Sequence, residues 1–178
     1  KGIFKSLNCG LRSQDNKKII LQNLEIACKK INSNSKKLVL LNQTHSNKFH
    51  FIKKNHKFKN KKLNGDALVT STEKIILGVL TADCVPILIF DPKKKIIAAI
   101  HAGWKGAYKD IIKKVVNFIE KKGSIPKNLI AAIGPSITDD SYEVQKKFKD
   151  KFINKDRQNK LFFKIKKNKT YFGLNKYI

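Results

Sequence analysis

The chain has 178 residues, 41% of them hydrophobic, and a formal net charge of +26. That length suits one domain over 1–178 with a substantial buried core, and no apolar run approaches the roughly 20 residues that a membrane-spanning helix needs. Of the 39 basic residues only two, Arg12 and Arg157, are arginine, and lysine pairs such as Lys17-Lys18, Lys53-Lys54 and Lys121-Lys122 are scattered along the chain. No aromatic residues interleave with a basic stripe. The charge therefore reads as non-specific stickiness at low salt rather than as specific nucleic-acid recognition.

Three cysteines at wide, irregular spacing make no disulfide framework, which fits a reducing, cytoplasmic setting. The chain starts at Lys1 and contains no methionine, so residues are expected to be missing from its start.

Taken in order, Lys17–Ile31 reads as an amphipathic helix carrying Ile20, Leu24, Ala27, Cys28 and Ile31 on one face, with Cys28 as a small core residue. Leu38–Asn42 reads as a strand. Lys48–Ile52 is a second, with Phe49 and Phe51 on one face and His50 on the other. Asn55–Asn64 is a lysine-rich loop bearing His56, and Gly65–Thr70 is a turn feeding a strand. Residues 75–81, 86–90 and 96–101 read as three apolar strands, the last two joined by the turn Asp91-Pro92-Lys93-Lys94. Trp104–Lys122 reads as one helix with Tyr108, Ile111, Ile112, Val115, Val116 and Ile119 as its stripe and Gly123 as its stop. Leu129–Ile133 is expected to be a buried strand, Ser141–Phe152 a helix, and Leu161–Ile165 and Thr170–Leu174 short strands. No repeat or linker interrupts the pattern, which is mixed sheet with packed helices, α/β or α+β.

Chemistry-bearing residues fall where apolar strands end. Thr81-Ala82-Asp83-Cys84-Val85-Pro86 and His101-Ala102-Gly103-Trp104-Lys105-Gly106 each follow such a run, and His45 follows Leu38–Asn42. A buried structural role is the ordinary reading of a lone cysteine. Against it, Asp83 is adjacent to Cys84, and Pro86 is expected to turn the chain just beyond. His45, Cys84 and His101 together would offer three metal ligands with a fourth position open. Thiolate plus imidazole favours zinc, with copper possible. His50 and His56 read as surface residues. Gly103 and Gly106 permit close backbone approach at a strand-to-helix junction, where Lys105 and the helix start before Trp104 offer positive charge to an anion.

These residues also carry a resemblance. Gln43-Thr44-His45, Gly65-Asp66-Ala67-Leu68-Val69-Thr70, Thr81–Pro86, His101–Gly106 and Ala132-Ile133-Gly134-Pro135-Ser136-Ile137, with Tyr142-Glu143-Val144 beyond, match in order the blocks of the YfiH-like family. That family is also called the laccase-domain or multicopper polyphenol oxidase family. Ser6-Leu7-Asn8 with Gly10 resembles a further block near the start. The resemblance implies a layered α/β/β/α sandwich and a zinc site formed by His45, Cys84 and His101. It also implies phosphate-dependent cleavage of adenosine, inosine, guanosine and methylthioadenosine, together with adenosine deamination. Lys105 stands where the family usually has arginine, which keeps the charge and loses the bidentate fork. Thr138-Asp139-Asp140-Ser141 lacks a cysteine common there, and the family's C-terminal block is absent, so the chain resembles a fragment.

The expectation is a purine nucleoside phosphorylase and adenosine deaminase whose partners are purine nucleosides and phosphate. Its catalytic residues would be Cys84, His101 and Asp83, with Asp83 handling protons or orienting a ligand, and its substrate contacts Lys105, Trp104 and Gly103. One rival is a cysteine hydrolase editing peptidoglycan, with Cys84 as nucleophile and His101 as base. A copper polyphenol oxidase and a basic nucleic-acid-binding module are the others. The sequence leaves oligomeric state open.

Overall fold

The computed structural model describes residue 4 and residues 7–55 and 63–178, so Ser6, His56 and most of the Asn55–Asn64 loop lie outside the described residues. Helix α1 (Lys17–Lys29) starts where the Asn16 side chain accepts from the Lys18 amide, and it buries Ile20, Leu24 and Cys28. Strands β1 (Leu38–Leu40), β2 (Phe49–Ile52), β3 (Ala67–Thr70), β4 (Ile76–Gly78), β5 (Val85–Asp91), β6 (Ile96–Ala102) and β7 (Ile130–Ile133) build the centre of the molecule. Helices α2 (Trp104–Tyr108) and α3 (Ile111–Lys121) follow β6. The C-terminal part adds β8 (Glu143–Val144), α4 (Lys146–Lys155), β9 (Phe163–Lys166), β10 (Lys169–Phe172) and α5 (Leu174–Tyr177).

The main sheet has five strands in the order β2-β3-β6-β5-β7. β2 and β3 run parallel and the remaining pairs antiparallel. The β5–β6 hairpin closes through Asp91, whose carboxylate accepts from the amides of Lys93 (2.8 Å) and Lys94 (3.1 Å). Alternation then sorts the side chains. Val85, Ile87, Ile89, Ala98, Ile100, Ala67 and Val69 face α3 and form one core with Ile111, Val115, Ile119 and the aromatic cluster of Phe152 and Phe172. The opposite face carries Leu68 and Ile52, packed on Val39 and Leu77 of the small parallel sheet β1-β4 and on Leu41 and Ile75 at its ends. Beyond that sheet, Leu24, Ala27 and Cys28 of α1 face Leu38, Leu40, Ile76 and Gly78 across a cavity of about 750 Å³. The layers are therefore helix, sheet, sheet, helix, a mixed α/β fold. A third sheet, β8-β10-β9, packs its aromatic residues under α4.

Several sequence expectations are corrected. The helix expected over Trp104–Lys122 is two helices, because Asp110 takes a left-handed backbone (φ 60°) and restarts the chain in a new direction. The apolar stripe spans the break without registering it. Pro86 does not turn the chain. It sits inside β5, opposite His101, where β7 pairing begins only at Ile87 and no donor is required of it. Ser141–Phe152 is not helical at its start: Glu143–Val144 pairs with β10, and the helix begins at Lys146. The strand expected over residues 75–81 is confined to Ile76–Gly78 and joins β1 rather than β5. β7 was expected to be buried and is exposed along its whole length, because it is the sheet's outer strand and nothing among the described residues covers it.

Candidate metal centre

His45 lies on the loop after β1, Cys84 on the loop entering β5, and His101 near the end of β6. Their donor atoms all lie within 4.8 Å of one another, and this is the one such cluster of three His, Cys, Asp or Glu side chains among the described residues. Cys84 Sγ is 3.7 Å from His45 Nε2, and the two imidazole rings meet edge to face with centroids 4.9 Å apart. A tetrahedral zinc with ordinary Zn–S and Zn–N bonds holds such atoms about 3.6 Å apart, so the Cys84–His45 pair fits a metal of that size, with His101 within 4.8 Å. Gly103 makes room for it. A Cβ there would stand 2.8 Å from His45 Cδ2 and 2.9 Å from Cys84 Sγ, inside contact distance of both donor groups.

Asp66, on the turn into β3, is fully buried directly behind the cluster. Its carboxylate accepts from the amides of Thr44 (3.1 Å), His45 (3.0 Å) and Ser46 (2.6 Å), from the Ser46 hydroxyl (2.6 Å), and from His101 Nδ1 (2.9 Å). Burial favours the neutral acid, yet the hydrogen bonds from His101 and Ser46 outweigh it and hold the carboxyl far below the usual range. Burial likewise disfavours an imidazolium at His101, but Asp66 and the neighbouring Cys84 push that ring up to about 9. His45 moves the other way: burial, then the nearby His101 charge, lowers it. The two rings thus differ in their affinity for protons: Asp66 and Cys84 bond the His101 ring, whereas burial and the His101 charge outweigh the more distant pull of Asp66 on the His45 ring.

The remaining expected site residues are less uniform. Asp83 is exposed at the mouth of the cluster, its carbonyl accepting from the Ile137 amide at 2.9 Å, which ties the Gly134-Pro135-Ser136 loop beside Cys84. Lys105 is exposed, with Nζ 5.6 Å from the Trp104 ring centroid. Trp104, partly buried, packs its ring against Phe148 (centroids 5.0 Å apart) and Phe152 at the edge of the core. With α2 only five residues long, its start contributes little dipole, and positive charge there rests on Lys105. His50 is half-buried and bonds the Asn64 carbonyl away from the cluster. Asp66 is the residue sequence reasoning missed. Two signals point to it: its place in the matched block Gly65–Thr70, and a carboxylate opening an apolar strand in a chain with only 13 acidic residues.

A mixed α/β sandwich holding a thiol and two imidazoles at its strand ends defines a class of metal-site protein. The chain belongs to the family described as multi-copper polyphenol oxidoreductase laccase, whose profile covers residues 1–178. It is 38% identical over 148 residues to the purine nucleoside phosphorylase RP494 of Rickettsia prowazekii, covering 79% of this chain and 58% of that protein. Over 79 residues it is 47% identical to the adenosine deaminase RL5 of an unknown prokaryotic organism, 44% of this chain and 30% of that one. The crystal structure of the hypothetical protein YfiH of Bacillus licheniformis superposes with a TM-score of 0.89 at 29% identity, over 99% of this chain and 70% of its own. The chain spans about half the length of the curated relatives it matches.

Proposed function

We propose that this chain carries the metal centre of a zinc-dependent purine nucleoside phosphorylase that also deaminates adenosine. The observation that carries the reading is the convergence of His45, Cys84 and His101 around a space that Gly103 leaves open. The relatives named for these two activities support it. Adenosine, inosine, guanosine and methylthioadenosine are the proposed substrates, with phosphate as co-substrate.

Bound zinc would supply a Lewis acid able to polarise an oxygen at the open position. His45, Cys84 and His101 would hold it, and the exposed side of the cluster, at His45, admits the nucleoside. Lys105, exposed two residues beyond Gly103, supplies positive charge for phosphate. In phosphorolysis the bond from the ribose carbon to the base nitrogen breaks, a phosphate oxygen forms the new bond to that carbon, and the base takes up a proton. In deamination water replaces the amino group, which leaves as ammonia. Asp83, next to Cys84 in sequence, is the carboxylate proposed to move protons in either reaction.

A second reading keeps Cys84 as a metal-free nucleophile. It is favoured by the 3.7 Å approach of His45 Nε2 to the thiol, which makes His45 as well placed a base as His101. Product analysis of adenosine with zinc-loaded protein, with and without phosphate, beside Cys84→Ala, tests the first reading. Adenine that requires both phosphate and Cys84 supports phosphorolysis, and inosine supports deamination. Absence of both products, with alkylation of the thiol abolishing amide hydrolysis of a muropeptide, supports the second.

A further inference from the structure

We infer that Asp66 is the positioning residue of the metal centre, one buried carboxylate that sets both imidazole ligands at once. The inference rests on the reading of His45, Cys84 and His101 as metal ligands. Asp66 stands outside that trio, bonding the ring nitrogen of His101 on the side away from the cluster.

An ionised carboxylate accepts and never donates, so every partner of Asp66 must present a hydrogen. One oxygen takes His101 Nδ1 at 2.9 Å together with the His45 amide at 3.0 Å. The other takes the Ser46 amide and hydroxyl, both at 2.6 Å. The first bond places the ring proton of neutral His101 on Nδ1 and leaves the Nε2 lone pair for a metal. The bonds to the amides of residues 44, 45 and 46 hold the ligand loop in a shape that includes a left-handed backbone at His45 (φ 55°). A carboxylate serving only to tie down that loop would have no need of the His101 ring. Linking the loop after β1 to the end of β6 through one side chain fixes the spacing of two ligands that are 56 residues apart in sequence.

An amide cannot substitute. Asn at 66 must aim its NH₂ either at the Ser46 donors or at His101, and in the second case the ring must move its proton to Nε2 and lose its donor pair. Asp66→Asn is therefore expected to lower Co²⁺ affinity about 10–100-fold in competition with a chromophoric chelator. Asn47→Ala, on the same loop but bonded to the Lys109 carbonyl instead, is expected to stay within about threefold of wild type. Long-range ¹H–¹⁵N spectra of zinc-loaded wild type should show the His101 proton on Nδ1. Cobalt affinity unchanged in Asp66→Asn, an equal loss in Asn47→Ala, or a wild-type His101 proton on Nε2 would each overturn the inference. If Asp66→Asn does not fold, the wild-type proton position decides alone. Metal uptake without any nucleoside turnover would sink the proposed function and leave this inference intact. A wild type that takes up no metal would overturn both.

Discussion

At position 103 the difference between a hydrogen and a methyl group decides whether two donors can close on a shared ion. Gly103 has an ordinary backbone conformation (φ −74°), so alanine is tolerated by the chain itself, and the clash falls on His45 and Cys84. Gly103→Ala is expected to reduce cobalt affinity at least about tenfold while the metal-free protein melts within a few degrees of wild type. Equal affinities would show that the donors have slack. This role was half legible: a glycine between His101 and Trp104 announces close approach, but not what approaches. His45, Cys84 and His101 were each visible as polar residues where apolar strands end. Asp66 was not, because its partners are backbone amides about twenty residues upstream and an imidazole 35 residues downstream, and no local pattern encodes such a meeting.

Among the elements, α4 shows how the C-terminal part is held. Phe152 is fully buried and touches Tyr108, Phe148, Phe163, Phe172 and Tyr177 ring to ring. Phe152→Ala is expected to cost about 3–5 kcal/mol, read as a shift of the urea midpoint. Spacing alone revealed β5, β6 and α1 because their apolar periods are clean. It hid the break at Asp110, since Tyr108, Ile111, Ile112 and Val115 keep helical spacing through it and aspartate carries no obligation to turn. The third sheet also carries a charge cluster: Lys164 and Lys166 bond Asp140, and Lys164 and Lys176 pair with Asp139. The Lys164 bond, then that of Lys166, holds Asp140 down to about 2. With the folded value below the unfolded one, this stabilisation is present above the ordinary carboxylate pKa near 4 and is lost as pH falls toward 2. Melting of the Lys164→Ala/Lys166→Ala variant should trail wild type at pH 7 and converge with it near pH 2. A gap that persists in acid would contradict the assignment. Salt should narrow the gap at neutral pH, because these groups are exposed.

For the whole molecule, two surface features oppose each other. Leu88, Phe90 and Ile130 stand exposed on one face of the main sheet beside a groove lined by Ile75, Leu77 and Ile97, and the outer edge of β7, whose four residues include neither charge nor proline, is unpaired among the described residues. A net charge of +26 keeps copies apart. Self-association of this chain in sedimentation velocity should therefore grow with salt, and Leu88→Lys/Ile130→Lys should suppress it. Binding to a polyanion should do the reverse and fade as salt rises. Association that weakens with salt would show that charge, not the apolar strip, drives it. No helix among the described residues is long and apolar enough to cross a membrane. Length and composition foretell a folded core and the order of apolar runs a mixed α/β pattern, but not that one sheet face stands open, because strand hydrophobicity does not say which neighbour covers it.

The proposed function requires that His45, Cys84 and His101 bind one metal ion together. Cobalt titration followed in the near ultraviolet tests this most directly. The expected result is a thiolate-to-cobalt charge-transfer band that saturates at one ion per chain, disappears in Cys84→Ala, and is displaced by zinc. No band in the folded wild type, or the same band surviving in Cys84→Ala, would contradict it.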